Sequence, residues 1–155
     1  MSSARPHVLV VTMGGTIASV PDAGGRDAVP RLGPDELLAS APGADRVATV
    51  STESFRQYPS GDLTVRDVVE LAQLVVEHTG KVDGVVVTQG TDTLEETSYL
   101  LDLLLDDDAP PVVLTGAMRN SGLAGADGPA NLLAALKVAA DEQARRLGPL
   151  VVFAD

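Results

Sequence analysis

Short β-branched runs alternate with longer stretches of helical apolar spacing along the chain. Val85-Val86-Val87-Thr88 reads as a buried strand that Gln89-Gly90 breaks. From Leu94 the apolar positions recur through Thr97, Leu101, Leu104 and Leu105, which predicts a helix. Thr93 and Glu96 have the spacing of a capping box at its start. Residues 7–12, 46–51 and 111–115 read as further strands, and residues 150–153 begin a last one. Helices are predicted from Pro34 and over 62–78, the latter with Val65, Val68, Val69, Ala72 and Val76 on its apolar face and Gly80 as its stop. A fourth starts at an Asp127 N-cap, carries Pro129 in its first turn and runs toward Arg145. Residues 21–34, rich in Pro, Gly and Asp, predict a mobile loop, either over a site or simply on the surface.

Strands alternating with helices predict an α/β fold of three layers, a mainly parallel sheet with helices on both faces. A chain of 155 residues makes one domain, 1–155. The net charge of -11 argues against nucleic acid, whose phosphates need Lys and Arg. Aromatic residues at 3% leave no base-stacking platform. No apolar run approaches the roughly 20 residues that span a bilayer, so no membrane partner is expected. The absence of cysteine removes disulfide frameworks and thiolate zinc sites. The N-terminus lacks the apolar region of a leader, which predicts a cytoplasmic protein or a mature form.

Three strand ends carry glycine followed by polar residues: Gly14-Gly15-Thr16, Gly90-Thr91-Asp92, and Gly116 before Ala117 to Asn120. Parallel strands put all three at one edge of the sheet, where open α/β sheets bind ligands. Two threonine hydroxyls and a carboxylate can converge there. A threonine hydroxyl is a weak nucleophile that needs a neighbouring base, and amides on glycine turns can form an oxyanion hole. Each motif alone also fits a plain turn or helix cap. Neither glycine turn has a phosphate-binding pattern. His7 and His78 are isolated and read as structural, and Asp106-Asp107-Asp108 reads as a solvated turn rather than a metal site.

Taken together, these motifs resemble the N-terminal domain of the bacterial-type L-asparaginases, which are threonine-nucleophile amidohydrolases. Gly14-Gly15-Thr16-Ile17-Ala18 is similar to the first signature of that family, and Gln89-Gly90-Thr91-Asp92-Thr93-Leu94-Glu95-Glu96-Thr97 to the second, with Gln89 where histidine is frequent. Ser60-Gly61-Asp62-Leu63, Gly116-Ala117-Met118-Arg119 and Ala126-Asp127-Gly128-Pro129-Ala130-Asn131-Leu132 resemble three more segments, in order. The resemblance implies a Rossmann-like domain and hydrolysis of L-asparagine, or of L-glutamine, to the acid and ammonia. Thr16 would form the acyl-enzyme, Thr91 would be the second essential hydroxyl, and Asp92 would hold the substrate amino group. Ser60 would bind the α-carboxylate. Gly15 and Gly90 would line the pocket, and the Ala117 carbonyl would face the departing nitrogen. No cofactor or metal is implied; a homo-oligomer is.

The chain departs from the family in three places. The family's loop tyrosine would fall near Val29, and that loop contains none; Tyr58 is the nearest alternative. Gly61 stands where glutamine is common. The family's lysine would lie beyond Asp155, and neither Lys81 nor Lys137 replaces it. The expectation is therefore a fragment without its lysine and C-terminal domain, weakly active or inactive alone. Two other readings stand beside it: a non-catalytic module that binds aspartate or asparagine, and the asparaginase-like subunit of a tRNA-dependent amidotransferase. The start at His7 disfavours the last of these.

Overall fold

The computed structural model describes residues 5–21, 28–30 and 32–153. In chain order the elements are β1 (His7–Gly14), β2 (Ser19–Pro21), β3 (Ala28–Pro30), α1 (Pro34–Ala39), α2 (Ala44–Val47), β4 (Thr49–Tyr58), α3 (Val65–Glu77), β5 (Gly84–Thr88), α4 (Leu94–Leu104), β6 (Val112–Thr115), α5 (Gly128–Ala139) and β7 (Leu150–Val151). Five of the strands form one sheet in the order β4-β1-β5-β6-β7, and every neighbouring pair is parallel.

The strand sequences are apolar at successive positions because both faces are covered. Val8, Val10, Val86 and Val113 face Leu37, Ala44, Leu132 and Leu136, on the side of α1, α2 and α5. Leu9, Val11, Val85, Val87 and Leu114 face Leu71, Val75 and Leu101, on the side of α3 and α4. The expected three-layer α/β arrangement is therefore present.

This division of the helices determines where clefts open. The connections leaving β1 and β6 turn to one face, and those leaving β4 and β5 turn to the other. The β6-to-β7 crossover through α5 consequently has the opposite hand to the other three, against the usual uniformity. The loop after β5 is thus flanked on both sides by loops that diverge from it. Clefts of this kind, at the carboxyl ends of strands, are where such sheets bind ligands.

Several expectations are corrected. Residues 46–51 are not one strand: Arg46 and Val47 end α2, and β4 begins at Thr49 and runs to Tyr58. The buried face of α3 is Val68, Leu71, Ala72, Leu74 and Val75, while Val65 and Val76 are exposed. The segment after Ser19 is no plain loop, since β2 and β3 pair as an antiparallel ribbon, Val20 opposite Val29. Residues 22–27 and 31 lie outside the described residues. The last helix stops at Ala139, and a separate 3-10 turn spans Glu142–Arg146. The final strand covers Leu150–Val151; Asp155 lies outside the described residues. Among the described residues no helix is long and apolar enough to cross a membrane.

A charged cluster ties the edge strand to α3. The Asp67 carboxylate accepts from the Thr64 hydroxyl (2.6 Å) and amide (2.9 Å) and from Arg56 Nε (2.8 Å). The Thr64 bonds, and then Arg56, hold the Asp67 carboxyl down to about 2 against an ordinary 3.8. His7 Nε2 lies 2.9 Å from Ser51 Oγ, and His78 Nδ1 lies 2.9 Å from the Leu74 carbonyl, so both histidines have structural partners.

Candidate active site

The site is built from glycines that let loops touch. Gly14 and Gly15 have φ of +94° and +79°, a region that side chains other than hydrogen resist. A Cβ on Gly15 would lie 2.1 Å from the Gly90 nitrogen and 2.4 Å from its Cα. The turns after β1 and β5 are therefore in backbone contact. A Cβ on Gly90 would lie 2.4 Å from Ser60 Oγ, and one on Gly116 would lie 2.8 Å from the Gln89 carbonyl and 3.1 Å from Thr91 Cγ2. The loops following β1, β4 and β6 thus converge from three sides on Gly90-Thr91, in the loop following β5.

Thr16 and Thr91 each follow one of the two touching glycines, and each opens a 3-10 turn, Thr16–Ala18 and Thr91–Thr93. Both side chains are half-buried. The Ser19 hydroxyl, itself buried, donates to the Gly15 carbonyl at 2.8 Å and pins the first turn. Sequence reasoning overlooked Ser19; its small polar side chain one turn after Gly15 was the available signal.

Ser60 is buried, and its hydroxyl donates to Asp92 Oδ2 at 3.2 Å while accepting from the Asp92 amide at 3.2 Å. The hydroxyl thus donates to a carboxylate at the long end of ordinary hydrogen-bond distances. Thr93 corrects the expected capping box: it makes no side-chain cap bond to α4, and its hydroxyl instead donates to the Ser60 carbonyl at 3.1 Å. That bond ties the β4 loop to the β5 loop. Asp92 is exposed at the rim.

Ala117 is buried, directly after Gly116. Asp127 sits at the N-cap of α5 as expected, yet its side chain does not cap that helix. Its two oxygens accept from the Met118 and Arg119 amides, each at 2.9 Å. Burial alone would raise the Asp127 carboxyl; these bonds, with one from Asn131, outweigh it and hold the pKa below the ordinary value. Gln89 is fully buried, with Nε2 3.4 Å from the Gly90 carbonyl and Oε1 without a partner among the described residues.

Other candidates fall away from this edge. Lys81 precedes β5 at its opposite end, and Lys137 lies in the last turn of α5. The Asp106-Asp107-Asp108 run is exposed ahead of β6. Among the described residues no three His, Asp or Glu side chains gather closely enough to hold a metal ion. Tyr58 ends β4 opposite Gly14, with its ring exposed.

This geometry can be set against known proteins. The model of the family described as "Asparaginase, N-terminal" matches residues 7–155, which includes every loop that meets at the site. The chain belongs to the asparaginase family.

Its relatives carry that name. A probable L-asparaginase of Deinococcus radiodurans is 42% identical over 99% of this chain and 45% of its own length. L-asparaginase 2 of Escherichia coli is 38% identical over 98% of this chain and 44% of its own length. A glutaminase-asparaginase of Pseudomonas aeruginosa is 37% identical over 96% of this chain and 42% of its own length. The chain therefore spans less than half the length of these relatives.

Proposed function

We propose that this chain carries the nucleophile-bearing side of an L-asparagine amidohydrolase site. The observation that supports this reading most is the backbone contact of Gly15 with Gly90, because Thr16 and Thr91 follow those two residues directly. In the proposed reaction the Thr16 oxygen attacks the side-chain amide carbon. The C–O bond forms, the C–N bond breaks, and the nitrogen leaves as ammonia with the hydroxyl proton. Water then adds to the ester carbon, aspartate leaves, and the proton returns to Thr16. Gly15 and Gly90 line the pocket, and the turn amides beside the attacked carbonyl stabilise its oxyanion. Ser60 donates to the α-carboxylate in place of Asp92, which frees the Asp92 carboxylate for the α-amino group. The Ala117 carbonyl accepts from the departing nitrogen. Glutamine is the competing substrate, since Gly61, next to Ser60, stands where glutamine is common in the family.

A second reading, binding of aspartate or asparagine without turnover, is favoured by the remoteness of Lys81 and Lys137 from the hydroxyls. Ammonia release, measured with calorimetry against L-aspartate, separates the two. Release abolished by Thr16→Ala supports the hydrolase; binding with no release supports the module; neither signal overturns both. Assembly into a homo-oligomer and a cytoplasmic location belong to the same proposal, and light scattering and cell fractionation test them.

A further inference from the structure

We propose that Asp127 and Asn131 are positioning residues, which clamp the backbone on both sides of Ala117 so that its peptide groups face the substrate amide. The inference rests on the amidohydrolase reading and extends it to residues with no assigned part. The clamp has four bonds. Asp127 Oδ2 and Oδ1 accept from the Met118 and Arg119 amides, each at 2.9 Å. Asn131 Nδ2 donates at 3.1 Å to the Gly116 carbonyl and at 3.1 Å to Asp127 Oδ2. The backbone is therefore held immediately before and immediately after Ala117. Neither the amide nor the carbonyl of Ala117 itself bonds to a described residue. Residue 117 is buried, and buried peptide groups call for a partner, which no described residue supplies here.

An N-cap aspartate ordinarily accepts from the first amides of its own helix. Here both oxygens reach back across the loop instead. Asn131, one turn into α5 and buried, braces the carboxylate and ties it to the β6 end. The helix start is itself fixed against the site: a Cβ on Gly128 would lie 3.0 Å from Ile17 Cγ1 and 3.5 Å from Ala117 Cβ. Ile17 adjoins Thr16. One rigid helix end thus sets the spacing between the nucleophile turn and the Ala117 peptide, and the ionised Asp127 carboxylate serves that spacing rather than contacting substrate.

The test is hydrogen exchange of the segment holding Met118 and Arg119, read beside L-aspartate affinity, in the parent chain, Asp127→Ala and Asn131→Ala. Asp127→Asn keeps the size and one acceptor oxygen, and serves if the alanine variant does not fold. Asp67→Asn, which weakens a distant cluster, controls for general loss of stability. Exchange in this segment is expected to rise about tenfold or more in Asp127→Ala, with aspartate affinity falling about tenfold and neither changing in Asp67→Asn. Where ammonia release is measurable, kcat falls more than KM changes. Exchange within about twofold of the parent overturns the clamp. A loosened loop with unchanged aspartate affinity overturns its positioning role. A parent chain that binds no aspartate overturns the amidohydrolase reading instead, while the exchange data still report on the clamp.

Discussion

The contact between Gly15 and Gly90 makes a quantitative prediction, because the two effects of adding a methyl group can be separated. Gly15 has φ 79° and ψ -175°, a region essentially closed to other residues that costs about 1–3 kcal/mol to occupy. Its Cβ would also lie 2.1 Å from the Gly90 nitrogen, where ordinary contact begins at 3.4 Å. The two turns must then part by about 1 Å, and a well-packed interior resists such a shift at a further cost of about 1–3 kcal/mol. Gly80→Ala supplies a positive-φ reference without the contact, since Gly80 has φ +74° and open space around it. Gly61→Ala carries neither term, with a negative φ and nothing within 4 Å. Urea unfolding is expected to show a loss of about 3–4 kcal/mol for Gly15→Ala, about 1 kcal/mol for Gly80→Ala and near none for Gly61→Ala. Aspartate affinity should fall at least about tenfold in Gly15→Ala alone. A Gly15→Ala variant within about 0.5 kcal/mol of Gly80→Ala, with unchanged affinity, would refute the touching-turn geometry.

Other perturbations probe separate parts of the account. Ser60→Ala removes the hydroxyl that both donates to Asp92 and accepts from its amide; unfolding should cost about 1 kcal/mol and aspartate binding should weaken about tenfold by calorimetry. Asp67 titrates at about 2 when folded against 3.8 ordinarily, so its contribution is full above about pH 4 and disappears as pH falls toward 2. Partly exposed partners reduce that contribution to about 1 kcal/mol, and melting curves of Asp67→Asn should lose the corresponding part of the acid limb. Leu101 is fully buried between α4 and the sheet; Leu101→Ala should cost about 3 kcal/mol in urea without altering the site.

The parallel sheet was readable because β1, β5 and β6 are short apolar runs, and three glycine-containing strand ends pointed to one edge. What escaped was set by tertiary contact. β4 reads as polar, TVSTESFRQY, because it is an edge strand with one side open, so its length could not be seen. In α3 two helical series of apolar residues overlap, one through Val65 and Val76 and one through Leu71 and Val75. The sheet surface selects the second. Thr93 and Glu96 have capping-box spacing, but the Ser60 carbonyl captures the Thr93 hydroxyl. Asp127 was recognised as an N-cap, yet its reach to Met118 and Arg119 depends on how the β6 loop folds back over α5. Local spacing thus pointed to the Thr16 and Thr91 turns, whereas the bonds that brace those turns join loops distant in sequence.

The most direct measurement is an amide NMR titration of the 155-residue chain with L-aspartate. Saturable shifts are expected to concentrate at Gly15, Thr16, Ser60, Gly90, Thr91, Asp92 and Ala117, which occupy four different loops. Shifts confined to the opposite edge of the sheet, or no saturable shift at all, would contradict that expectation.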